Sequence, residues 1–128
     1  MTHEDFVTFE QADKLCDLGF DYKCIAYYDE EGFEIGSECP TNYNSNRYRY
    51  NIISAPTLSQ VQKWFLEEKK IYIEIDCTNY LTNFGYELKF DWADNHRYCT
   101  QGYRTPNEAL SQGINAAISY IEENGQEY

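Results

Sequence analysis

Residues 55–76, APTLSQVQKWFLEEKKIYIEID, constrain the fold more than any other stretch of the chain. Thr57 followed three residues later by Gln60 is a capping box, and Pro56 excludes an earlier helical start. Leu58, Val61, Trp64 and Phe65 then recur on one helical face. After a short turn, Ile71, Ile73 and Ile75 alternate with Tyr72, Glu74 and Asp76, the period of a strand buried on one side. A helix that feeds straight into such a strand predicts an α+β arrangement, with helices covering a sheet.

The flanking segments extend this pattern. Thr8 and Gln11 form a second capping box, Phe9, Ala12, Leu15 and Cys16 follow at helical spacing, and Gly19 is placed to end the helix. Tyr22, Cys24, Ala26 and Tyr28 alternate as a strand, Asp29–Gly32 reads as an acidic hairpin turn, and Phe33–Ile35 starts the return strand. Gly36–Asn46 is the longest loop signal, and RYRYNIIS, Arg47–Ser54, reads as a strand leading into the central helix. Beyond Asp76, a turn through Thr78–Gly85 leads into a strand with Tyr86, Leu88, Phe90 and Trp92 on one face. Ala93, Asp94 and Asn95 turn the chain into HRYCTQGYR, completing an antiparallel meander. The last helix carries the cap Thr105, Pro106 at its first position, Glu108 completing the box, and a stripe of Leu110, Ile114, Ala117, Ile118 and Ile121. Ala109, Gly113 and Ala116 beside that stripe would let the helix approach a sheet or a second copy closely, and Asn124 and Gly125 end it. The helices starting at Thr8 and Thr57 share their pattern at a spacing of 49 residues, which an α-then-β duplication over 8–54 and 57–104 or recurring capping chemistry would produce.

A chain of 128 residues, 42% hydrophobic and 17% aromatic, reads as a single folded domain over 1–128. No apolar run approaches the roughly 20 residues of a transmembrane helix. MTHEDFVTFEQ has neither the basic start nor the cleavage site of a signal peptide, so a cytoplasmic location is expected. Five scattered cysteines without a CxxC read as reduced thiols, and His96 with Cys99 lacks the further ligands of a zinc site. Ten basic residues against twenty-two acidic ones give a net charge of −12, which argues against direct nucleic-acid binding and against anionic membranes. It suits a solvated acidic surface or a basic protein partner. No nucleophile–base pair, phosphate loop, catalytic carboxylate pair, cofactor motif or metal cluster stands out, so the chain does not read as an enzyme.

All four arginines lie in two tyrosine-interleaved stretches: NRYRYN, with Arg47, Tyr48, Arg49 and Tyr50, and HRYCTQGYR, with Arg97, Tyr98, Tyr103 and Arg104. On strands, Arg47 and Arg49 would share a face, as would Arg97 and Tyr103. Brought together, guanidinium forks and aromatic planes would suit phosphates, nucleobases or carboxylates; apart, they would pair with the abundant acids.

Three segments, LGFDYKCIAYY (residues 18–28), APTLSQVQKWF (55–65) and TPNEALSQGINAAI (105–118), resemble a group of small proteins of Bacteroides-type gut bacteria, their prophages and phages. The resemblance covers most of the chain and implies a mobile-element origin, but it brings no activity or site residue with it. The expected fold is an α+β domain in which two or three helices cover one face of a mainly antiparallel sheet of five or six strands. The expected function is binding to a protein partner, with a nucleotide-like anionic ligand at the Arg/Tyr patch as the alternative. A homodimer through the last helix is a further expectation.

Overall fold

The computed structural model describes residues 2–36, 39–77, 83–90 and 96–124. The expected turns through 78–82 and 93–95, Trp92 and the Gly125 helix stop lie outside the described residues. The chain groups into two compact units, Met1–Gln60 and Val61–Tyr128.

In the first unit, α1 (Phe9–Asp17) forms as its local chemistry predicts. The Thr8 hydroxyl accepts from the Gln11 amide at 3.2 Å, and the Gln11 side chain accepts from the Thr8 amide at 2.9 Å. Its other end is a Schellman closure. Gly19 takes φ +94°, its amide bonds to the Cys16 carbonyl, and the Phe20 amide reaches the Leu15 carbonyl at 2.9 Å. Strands β1 (Ala26–Asp29) and β2 (Gly32–Ile35) then pair as the expected hairpin, Asp29 opposite Gly32. Cys24, Ala26 and Tyr28 are buried in alternation, although Cys24 meets only an isolated bridge to Thr41. The Tyr28 hydroxyl donates to the Val7 carbonyl at 2.7 Å, so the His3 Nε2 at 3.0 Å must be its donor. His3 also stacks on Phe33, tying the start of the chain to the hairpin.

The segment Arg47–Ser54 departs from expectation. Arg47–Tyr50 is one turn of helix, α2, entered through a 3-10 turn at Tyr43–Asn46 and stopped by Asn51 in the left-handed region at φ +52°. Only Ile53–Ser54 is strand, β3, pairing with Tyr28 and Tyr27 of β1. Alternating Tyr and Arg favour a strand locally, but Arg47 ion-pairs with Asp13 and Asp17 of α1, and these long-range partners override the propensity.

In the second unit the helix α3 (Leu58–Trp64), which spans the boundary between units, continues as a π-helical turn over Phe65–Lys69 and ends on Lys70 at φ +58°. Gln60 closes its Thr57 cap from both sides, at 3.2 and 3.3 Å. Strands β4 (Ile71–Cys77), β5 (Phe84–Phe90) and β6 (His96–Tyr103) form the expected antiparallel meander. Helix α4 (Pro106–Asn124) packs on β4 and β5. Ile71, Ile73 and Leu88 are fully buried, whereas Ile75, Tyr86 and Phe90 on the same face are half-buried. Gly113 is the point of closest approach, since a Cβ there would lie 2.6 Å from Ile73 Cγ2. Gly113, within the small edge of α4, is thus used against its own sheet.

The α+β class and the antiparallel pairing hold. The single sheet of five or six strands does not: the described residues form two three-stranded sheets, ordered β2-β1-β3 and β4-β5-β6. The residues expected to lengthen the first sheet are spent on α2, and a two-residue β3 running into Pro56, which has no amide donor, offers too little ladder to carry another strand. No helix among the described residues is long and apolar enough to cross a membrane.

Candidate functional site

The two arginine–tyrosine stretches fall in different units. On β6, Arg97 stands opposite Leu88, Tyr98 opposite Glu87 and Tyr103 opposite Phe84. The side chains of Arg97 and Tyr98 lie outside the described residues. Arg104 follows the strand, is exposed, and donates its backbone amide to Glu108 Oε2 at 3.3 Å, so it serves the start of α4. The neighbouring outer face of β4 and β5 is acidic. Glu74 sits directly opposite Glu87, and Lys89 pairs with Glu74 at 2.6 Å. Desolvation, followed by Glu74 and Glu87, raises the Asp76 carboxyl above its usual range.

In the first unit Arg47, Tyr48, Arg49 and Tyr50 are gathered on α2, by a helical turn in place of the expected strand face. Arg47 is the anchor. Its guanidinium engages Asp13 and Asp17, one turn apart on α1, and its pKa is raised first by hydrogen bonding to the Cys16 sulfur and then by Asp13. Its charge is therefore already matched inside the unit, which argues against its use on a phosphate. Tyr48 and Tyr50 are the reverse: 94% and 60% exposed. Their rings lie near the guanidinium groups of Arg47 and Arg49, at 5.8 and 5.2 Å.

What holds this turn in place is a pair of asparagines that the sequence pattern did not single out. Asn44 accepts from the Ser54 amide at 2.8 Å, donates from Nδ2 to the Phe20 carbonyl at 2.9 Å, and gives its own amide to Ser54 Oγ at 3.2 Å. Asn51, at the end of α2, donates to Glu30 of the hairpin at 2.7 Å. Asn- and Ser-rich loops advertise such clamps in general, but which atoms they bind is set by the fold.

Two cavities open beside Arg47. One, of about 490 Å³, is lined by Phe9, Tyr28, the acidic hairpin turn Asp29–Gly32, Arg47 and Asn51–Ile53. The other, of about 400 Å³, lies among the end of α1, the Gly19–Asp21 turn, the 3-10 turn and Tyr48. Four of the six exposed large hydrophobic side chains among the described residues, Phe9, Ile35, Tyr48 and Tyr50, belong to this unit. Its sequence carries eleven acidic residues against four basic ones. No group of three or more His, Cys, Asp or Glu side chains among the described residues is arranged to hold a metal ion. The chain matches no protein-family model, no curated protein and no solved structure.

Proposed function

We propose that the first unit is a protein-binding module whose contact face is centred on α2, with Tyr48 and Tyr50 as anchors inside an acidic surround. The observation that carries this reading is the contrast within one helical turn. Arg47 pins the backbone to α1, while Tyr48 beside it is almost wholly exposed. Tyrosine and arginine are the residue types that dominate interface hot spots, and an anchor on a backbone already held in place costs little ordering entropy on binding. The surrounding Asp13, Asp17, Asp21, Asp29, Glu30 and Glu31 suit a partner with basic residues around its own contact patch. The resemblance to proteins of Bacteroides-type bacteria and their phages supports a mobile-element setting, with a host or phage protein as the partner.

The experiment is affinity capture from such a cell extract with the full chain and three variants. The reading expects a discrete protein that the wild type and Tyr72→Ala retain and that Tyr48→Ala and Tyr50→Ala both lose. Capture that is indifferent to both α2 variants would remove its basis.

A further inference from the structure

An unpaired strand edge is a template for pairing with another chain, and folded proteins usually cover it. Two outer edges here are covered by side-chain amides. Ser54 of β3 turns its amide away from β1, and Asn44 Oδ1 accepts it at 2.8 Å. The Ile73 carbonyl on the outer side of β4 accepts from Gln62 Nε2 at 2.6 Å. The edge of β2 is left open. The Gly36 amide donates to the Ile25 carbonyl at 2.7 Å, which sets the phase of the β1–β2 ladder. Glu34 therefore bonds inward to Tyr27, and Phe33 and Ile35 turn their N–H and C=O groups outward. Those four groups have no hydrogen-bond partner among the described residues. The register is unbroken and GFEI holds no proline or lysine, so no bulge, proline or lysine blunts the strand.

The side chains of β2 decide what can pair with it. Glu34, its one charge, is exposed, has no ion-pair partner among the described residues, and shares its face with Asp29 of β1. A second copy of β2, set antiparallel so that all four outward groups are used, would put Phe33 against Ile35 and Glu34 directly against Glu34. Like charges directly opposite are destabilising. A strand with lysine or arginine at that place reverses the sign. On the other face Ile35 is 54% exposed beside half-buried Phe33, which apolar residues on either side of the basic one would cover.

We infer that β2 receives an antiparallel strand of a partner protein, in which a basic residue opposite Glu34 stands between two apolar residues opposite Phe33 and Ile35. Main-chain hydrogen bonds supply the attachment, and the alternating side chains supply the selection, as in other strand additions to a sheet edge. This surface is separate from α2 and goes beyond the contact assigned to it above.

The test is amide NMR of the isotopically labelled full chain, titrated with a cyclic β-hairpin peptide whose free edge reads Thr-Val-Lys-Val-Thr. A twin peptide with glutamate in place of the lysine runs in parallel. Saturable shifts at the Phe33 and Ile35 amides are expected with the lysine peptide, at an affinity about fivefold or more above that of the twin. Glu34→Lys, at an exposed position, should reverse the order of the two peptides. Ile35→Pro deletes an outward donor without removing a bond to β1, and should abolish the shift at Phe33 while keeping the native spectrum. If Ile35→Pro does not fold, Glu34→Lys decides alone. Absence of shifts at Phe33 and Ile35, equal affinity for the twins, or an order that Glu34→Lys leaves unchanged overturns the inference. So does a wild-type dimer in sedimentation whose concentration-dependent shifts fall on the same two amides, since the occupant would then be a second copy. Capture lost in Tyr48→Ala bears on α2 alone, and peptide shifts lost from Phe33 and Ile35 bear on β2 alone.

Discussion

Asn44 and Ser54 hold each other by two hydrogen bonds, the Asn44 amide to Ser54 Oγ at 3.2 Å and the Ser54 amide to Asn44 Oδ1 at 2.8 Å. With the third bond, from Asn44 Nδ2 to the Phe20 carbonyl, one side chain joins the 3-10 turn, β3 and the end of α1. Asn44→Ala should cost about 2–3 kcal/mol, because it strands the amide of buried Ser54 and a carbonyl. Asn42→Ala, two residues away, removes an acceptor that has no partner among the described residues, and should change stability by less than about 0.5 kcal/mol. Urea unfolding of both variants checks the contrast, and equal losses would contradict it.

The close approach of α4 to its sheet makes Gly113 a packing residue. Alanine there gains up to about 1 kcal/mol of helix propensity but places its Cβ against Ile73 and Tyr86, an overpacking cost of roughly 1–3 kcal/mol. Gly113→Ala should therefore destabilise by about 1 kcal/mol net, seen as a lower denaturation midpoint at unchanged m-value. A stabilised variant would mean that α4 can back away freely.

Burial pushes the Cys24 thiol from 9.0 up to about 12, with Ser54 partly opposing. A raised folded-state pKa stabilises fully below the unfolded value and is lost as pH climbs through the folded one. The window here is pH 9 to 12. Within it the wild type should lose about 1.4 kcal/mol per pH unit more than Cys24→Ala, measured by urea unfolding under reducing conditions. Parallel pH profiles would place the thiol in water.

Much of this architecture is legible locally. The caps at Thr8 and Thr57 are reciprocal contacts across three residues, and Gly19 ends α1 through its own φ, so a short window of sequence carries the whole cause. The hairpin at Asp29–Gly32 and the β4–β5–β6 meander follow from turn chemistry and alternation in the same way. Arg47–Tyr50 is illegible by that route, because its helical state depends on Asp13 and Asp17, 34 and 30 residues away. The division into two sheets follows from the same departure, since α2 consumes the residues that would have lengthened a strand. The sequence did place Tyr48 and Tyr50 among the candidate residues. The cavities depend on side chains brought together from segments far apart in the chain.

Tyr48 should matter for contact and not for folding. At 94% exposure its truncation to alanine should shift stability by no more than about 0.5 kcal/mol. A loss several times larger, read from the thermal midpoint, would make it a structural residue and leave α2 without an exposed anchor.

The central claim is that α2 is the contact face, and site-specific photo-crosslinking tests it most directly. A benzophenone side chain is placed at position 48 or, as a control on the other unit, at position 72, in otherwise native chain exposed to a Bacteroides-type cell extract. The account predicts one heterologous adduct at position 48, suppressed by excess wild-type chain but not by excess Tyr50→Ala, and none of the same mass at position 72. No adduct at position 48, or the same adduct from both positions, would contradict it.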